Sequence, residues 1–285
     1  MVRLRVVDED GRSAAQRSQE LHRARDQPES RARLEAVLAP LHKAQRLVES
    51  ALERRAQAHA RGGTQGGAAA NDATLTVPAG VWPLLDEAYA ALDVYLAHLL
   101  HTAAIDPACA PRCSACCTDL PPILPIEALR MLRALRRDVP ERAPKRIQRA
   151  VELARAFQRH LHQSAGGVEL LRDKTLDTSA PSYREAQIGW RRLGHPCPIL
   201  GDDGSCSQYA DRPLSCRAHV HVEDPAHCEP QSPRFLIAER PPLWGHVREC
   251  EVEVALASLG KLLGLPGVPN LHWGMAQLHG HPSAG

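Results

Sequence analysis

Four of the chain's nine cysteines fall within nine residues, Cys109-Ala-Pro-Arg-Cys113-Ser-Ala-Cys116-Cys117, and no packing requirement explains that density. A second run carries three more: Cys197-Pro-Ile-Leu-Gly-Asp-Asp-Gly-Ser-Cys206, followed through Pro213-Leu-Ser by Cys216 and Arg217. A lone cysteine behaves as a small buried hydrophobe. Thiols two and three residues apart instead bring sulfur atoms close enough to share a metal. The fold must therefore carry two distant runs to one place, and the expected outcome is a metal or iron–sulfur site built from both.

The scaffold around such a site follows from what the chain lacks. Aromatic residues make up 4% of the 285 positions, so Leu, Ala, Val and Ile must form the core, which favours packed helices over a sheet sandwich. The formal net charge of +2 is too balanced to argue for nucleic acid or an acidic membrane surface. The first ten residues contain no apolar core of a signal peptide, and no stretch approaches the roughly 20 apolar residues that span a bilayer. The expectation is a cytoplasmic protein with reduced thiols. Nine is in any case an odd number for a disulfide framework.

The periodicity places helices along most of the chain. Residues 1–30 are weakly patterned and read as a frayed start. Leu34, Val37, Leu38, Leu41, Val48, Ala51 and Leu52 make one apolar stripe over residues 31–60. Glycines and small residues then suggest a flexible linker over 61–80. The boundaries expected are a helical extension over 1–60, that linker, a metal-binding domain over 81–264 and a loose tail over 265–285. The extension is expected to couple only loosely to the rest. Within the domain, Pro83 opens a helix to about Thr102, Pro125 opens a second with Leu129, Leu132 and Leu135 inward, and residues 144–162 form a third. The arginines of the last two helices read as solvated surface rather than a nucleic-acid patch. Ser182 and Glu185 suggest a capping box for a helix reaching Arg192. Residues 234–238 read as a strand and 247–263 as a final helix containing Cys250.

The local geometry of the runs carries further expectations. A helix starting near Pro111 would put Cys113, Cys116 and Cys117 at i, i+3 and i+4, on one face. Its free N–H groups would lower the thiol pKa values. Pro198-Ile-Leu before Gly201-Asp-Asp-Gly204 suggests a small β-hairpin setting Cys197 opposite Cys206. Arg212 and Arg217 flank the corner and would offset the negative charge of a bound cofactor. His219, His221, Glu223, Asp224, His227 and Cys228 form a polar cluster. Arg217, His219 and His221 are the first candidates for any chemistry beside the metal, and His219 and His221 with a carboxylate have the makings of a two-histidine iron site. Alternating histidines are also common on solvated strands.

Together, the cluster ending in Cys116-Cys117, the segment from Cys197-Pro to Cys206-Ser-Gln-Tyr209, and Arg212-Pro213-Leu-Ser-Cys216-Arg217 resemble the YkgJ-type cysteine-cluster family of bacterial proteins, taken to chelate zinc or iron or to hold iron–sulfur clusters. The resemblance implies Cys113, Cys116, Cys117, Cys197, Cys206 and Cys216 as ligands, with Cys109 the outer member of the first group. Ala-His-Val-His follows Arg217 here in place of the family's aromatic and proline. Flagellin lysine methylases carry a similar cysteine pattern, which brings a protein-modifying role into view, but this chain shows no S-adenosylmethionine fingerprint. Cys109-x3-Cys113-x2-Cys116 also has the spacing of radical S-adenosylmethionine enzymes, whose repeated strand–helix units have no counterpart here. Seven clustered thiols exceed the four that one zinc takes. The leading expectation is an iron–sulfur protein with a redox or protein partner, and the alternative a structural zinc-binding module. The fold expected is mainly α, a helical bundle with one small β-hairpin and cysteine-rich loops.

Overall fold

The computed structural model describes residues 12–61, 76–109, 113–172, 176–221, 228–232, 243 and 251–284. Its longest element is α2 (Pro28–Arg61), which keeps helical geometry through Pro40. Val37, Leu38, Leu41, Ala44 and Val48 on its inner stripe are buried against α3 (Val81–Thr102), whose Leu85, Ala88, Tyr89, Leu92, Leu96 and Leu99 face them. A side-chain amide of α2 also crosses to the C-terminal part of the chain, Gln45 Nε2 donating to the Ala255 carbonyl at 2.9 Å. The N-terminal extension is thus part of the main core, contrary to the loose coupling expected. Before it, α1 (Ala14–Arg25) is closed by a capping box in which Ser13 Oγ accepts from the Gln16 N–H while the Gln16 side chain accepts from the Ser13 N–H. Leu21 and Ala24 are buried, so residues 12–30 are not frayed.

The site-bearing half is built on α4 (Pro125–Asp138) and α5 (Ala143–Gln163), each with proline in its first turn and one apolar face inward. Leu129, Leu132 and Leu135 are buried as their spacing predicts, as are Ile147, Leu153 and Leu161. Two shorter helices follow, α6 (Gly167–Arg172) and α7 (Pro181–Arg192). Helix α7 starts at Pro181 with Ala180 as N-cap and no side-chain cap, so the expected Ser182–Glu185 box does not form. Trp190 of α7 meets Phe157 of α5 edge-on at 5.4 Å, and Phe157 meets Tyr183 at 5.9 Å, forming a second, aromatic core.

Helices α8 (Leu214–Ala218), α9 (Glu251–Leu262) and α10 (Leu271–Leu278) complete the order. The stretch expected to be a loose tail is core. Leu271, His272, Met275 and Leu278 of α10 are buried against α4 and α5. Gly274 permits the approach: a Cβ there would lie 3.0 Å from the Ala128 Cβ. Asn270 caps α10 by accepting the Trp273 N–H.

Among the described residues there is no β-strand, so the expected hairpin is corrected to one antiparallel bridge, Leu200 with Cys206. Pro198 has no N–H for a ladder, and the Leu200 N–H turns back to the Cys197 carbonyl at 3.1 Å, curling the segment before it can extend. The turn itself forms. Gly204 adopts φ +74° and Gly201 N–H donates to the Ser205 carbonyl at 2.7 Å. The expected strand over 234–238, the linker over 62–75 and the 247–250 start of the last helix, with Cys250, lie outside the described residues.

Candidate metal centre

The first cysteine run is organised by a single 3₁₀ turn, Ala115–Thr118, rather than by an α-helix. Cys117 N–H donates to the Ser114 carbonyl at 2.8 Å and Asp119 N–H to the Cys116 carbonyl at 3.1 Å. Cys113 precedes the turn, and Pro111 lies outside the described residues. Extended backbone at Asp119 and the paired Pro121-Pro122 stop the turn from growing. The two runs then join directly: Cys197 N–H donates to the Cys117 carbonyl at 2.7 Å.

All eight described cysteines are free thiols. Cys109 is exposed, Cys228 buried and the other six half-buried. Cys116 is their common neighbour, since its charge would bear on Cys109, Cys197, Cys206, Cys216 and Cys228. Among the described residues, no three cysteine, histidine or acidic side chains already converge as metal ligands. The backbones are gathered, and the thiols would have to turn inward to share an ion.

The chemistry of the donor set fits a soft metal. Backbone N–H groups point at the sulfurs: Ile199 donates to Cys197, Gln208 to Cys206, and His221 to Cys109 at 3.3 Å. In the first two the donor lies two residues beyond the cysteine, so each loop turns around its own sulfur and favours the thiolate.

Without a metal, these thiols stay protonated at neutral pH. Cys116 is held well above its ordinary range by its hydrogen bond to Cys117 and then by burial, while Cys197 and Cys216 are held there mainly by burial. Burial also raises Cys206 and Cys109 and pushes Cys228 up to about 12. The expected lowering of thiol pKa values by a helix start is therefore absent for these six. A low-pKa nucleophile has the opposite signature, so these thiols are suited to ligation rather than to nucleophilic attack.

Three guanidinium groups supply compensating charge. Arg212 lowers the pKa values of Cys109 and Cys206 while stacking 3.9 Å over the Tyr209 ring. Arg191, buried on α7, bears on Cys116 and Cys228 and pairs with Asp119 at 3.2 Å, its other arm donating to the Cys228 carbonyl at 2.8 Å. Arg146 bears on Cys206 and donates to the Pro198 and Leu200 carbonyls. Of these three, the sequence singles out only Arg212, and it reads Arg146 as solvated surface. Arg191 stands beside the apolar Trp190, the one local sign that it turns inward.

Arg217 has a different task from the one expected. It pairs with Asp93, donates to the Ala210 and Arg212 carbonyls, and lies 5.0 Å from the Tyr89 ring centre. Beside it, Glu127 of α4 is buried, and its pKa is raised by that burial. It accepts from Tyr89 Oη at 2.5 Å, Leu124 N–H at 2.9 Å and Leu214 N–H at 2.7 Å. The last bond fixes the start of α8 and so the position of Cys216. His219 and His221 border the centre, and burial lowers His219 to about 4, so it is neutral at physiological pH. Glu223, Asp224 and His227 lie outside the described residues, so a two-histidine, one-carboxylate arrangement lies outside them too.

Among the described residues, no helix is long and apolar enough to cross a membrane. Fold and site together define a mainly helical protein with a thiol-rich, metal-chelating centre. Residues 108–233 match the model of the CxxCxxCC family, described as a "putative zinc- or iron-chelating domain". That span, under half of the chain, contains every described cysteine. No curated protein and no solved structure matches the chain.

Proposed function

We propose that this protein holds an iron–sulfur cluster on Cys116, Cys197, Cys206 and Cys216 and works as a redox component. The observation that carries the reading is that the two cysteine runs meet, Cys197 N–H donating to the Cys117 carbonyl at 2.7 Å, with Cys116, Cys206 and Cys216 near enough to Cys197 for their charges to bear on it. All-thiolate ligation of this kind suits a cluster, which supplies one-electron transfer when bound. Arg191, Arg212 and Arg146 would offset the anionic charge of the ligands, and the loop N–H groups at Cys197 and Cys206 would favour their thiolates once a bound cluster displaces the protons. Redox work implies a protein or small-molecule partner that exchanges the electron. A structural zinc module is the second reading, favoured by the tight Gly201–Gly204 turn and the loop N–H groups at Cys197 and Cys206, an arrangement that also suits a zinc knuckle.

The test is a visible spectrum with iron, zinc and acid-labile sulfide analysis on one anaerobically purified sample. A brown protein with iron and sulfide, bleached by Cys116→Ser, is expected. Colourless protein with stoichiometric zinc would retire the redox reading and leave the structural one.

A further inference from the structure

The segment from Cys206 to Cys216 carries two of the four proposed ligands, and most of its polar groups are fastened. Ser207 N–H donates to the Ile199 carbonyl at 3.1 Å, Asp211 N–H to the Gln208 carbonyl at 3.0 Å, and Leu214 N–H to Glu127 at 2.7 Å. The Asp211 carboxylate pairs with Arg130 of α4 at 2.8 Å, and Arg217 Nε donates to the Arg212 carbonyl at 2.9 Å. Three side chains break this pattern. Gln208 is 2% exposed, and neither its Oε1 nor its Nε2 has a hydrogen-bond partner. Ser215 is 7% exposed with its Oγ buried and unpartnered, and the Nε of Arg212 is in the same condition. A buried polar group without a partner is destabilising and rare in native proteins, so three within one short segment require a cause.

Their placement supplies one. Gln208 lies two residues past Cys206, and its backbone N–H already donates to that sulfur, so its side chain starts beside it. Ser215 directly precedes Cys216. A neutral thiol is a weak acceptor, whereas an ionised, metal-bound sulfur is a strong one. We propose that Gln208 and Ser215 are positioning residues of the loaded centre, the Gln208 amide donating to metal-bound sulfur at Cys206 and the Ser215 hydroxyl to that at Cys216. The empty centre carries the cost of these unmet donors, and metal binding relieves it. The two residues therefore favour the loaded state twice, by hydrogen bonds made there and by destabilisation of the empty protein. This rests on Cys206 and Cys216 being ligands, as in the proposed function, and holds for zinc as for a cluster.

The experiment compares full-length wild type with Gln208→Met, Ser215→Ala and Cys206→Ser, all stripped of metal under anaerobic, reducing conditions. Two quantities are read: Zn²⁺ affinity by competition with a chromophoric chelator, and the urea midpoint of the stripped protein by circular dichroism. Gln208→Met keeps the side chain's length and removes its donor. It should bind Zn²⁺ about tenfold more weakly, yet unfold at a higher urea concentration than stripped wild type. A residue that only supports the fold would move both readings the same way. Should Gln208→Met fail to give a native spectrum, Ser215→Ala must show the same opposite signs. The inference is overturned if affinity stays within about twofold of wild type, or if affinity and midpoint fall together. A stripped wild type with no folded baseline overturns it as well, since the argument needs the empty centre ordered. Cys206→Ser separates the two layers. If it binds Zn²⁺ as tightly as wild type, the ligand assignment fails and the inference with it; if it loses affinity while Gln208→Met does not, only the inference fails.

Discussion

His272 is fully buried on α10, and neither ring nitrogen has a hydrogen-bond partner. Burial lowers its pKa to about 3, and the nearby charges of Arg149 and His195 push in the same direction. The unfolded chain would protonate this side chain near its ordinary value of 6.5, so between pH 6.5 and 3 the unfolded state binds the extra proton. Stability is therefore greatest above pH 6.5, falls as the pH drops through that window, and reaches its full loss below pH 3. At 1.36 kcal/mol per pKa unit, the loss from this group is about 3 kcal/mol at pH 4.5 and about 5 kcal/mol when complete.

The perturbation is His272→Leu, close to volume-conserving, which removes the titration and two unpaired buried nitrogens. A swap of this kind costs less than about 1.5 kcal/mol at neutral pH, and relief of the desolvated nitrogens works against that cost. Urea unfolding at pH 7.5 and 4.5, on both proteins in the same metal state, gives a double difference from which carboxylates, thiols and His219 cancel. Wild type should lose about 3 kcal/mol more than the variant over that interval. Equal losses, within about 1 kcal/mol, would show that His272 is not buried as a neutral ring, and the argument from α10 as core would fail with it.

Two further outcomes test the supports of the centre. Glu127→Ala orphans the buried Tyr89 hydroxyl and Leu214 N–H, at about 1–3 kcal/mol for each unsatisfied group. Chemical denaturation should show a total loss of about 3–5 kcal/mol, and a loss below about 1 kcal/mol would mean that Glu127 does not anchor α8. Arg191→Met removes the buried cation beside Cys116 and Cys228, and chelator competition should show metal affinity reduced by about 10–100-fold, with unchanged affinity counting against charge compensation.

What the sequence revealed divides along physical lines. Helices α3, α4 and α5 were legible because each combines an early proline with one unbroken apolar stripe. Helix α10 was not, although Leu271, Met275 and Leu278 have helical spacing, because Gly267, Pro269, Gly280 and Pro282 surround it and read as loop. Helix α1 was hidden by its polarity, and its Ser13–Gln16 box was the missed signal. The two cysteine runs announced themselves by spacing. Cys228 did not, since it ends a segment of histidines and acids, and its relation to Cys109 exists only after folding. Arg191 was lost in the pair Arg191-Arg192, where only the neighbouring apolar Trp190 marks which guanidinium turns inward.

The supports of the centre explain how neutral, unconverged thiols can still be a metal site. Each cysteine-bearing loop has its backbone fastened from a different helix. Arg146 of α5 holds the Pro198 and Leu200 carbonyls, Gln187 of α7 holds the Leu120 carbonyl at 2.9 Å, and Glu127 of α4 holds the Leu214 N–H. The cost of ordering these loops is thus met on folding, before any ion arrives. What remains for metal binding is rotation of thiols about their own bonds and release of their protons. The high thiol pKa values oppose that release, and the loop N–H groups and three arginines favour it, so affinity should rise with pH while the backbone stays in place. A site assembled this way discriminates by donor softness more than by rigid sulfur geometry, as a site open to either zinc or iron requires.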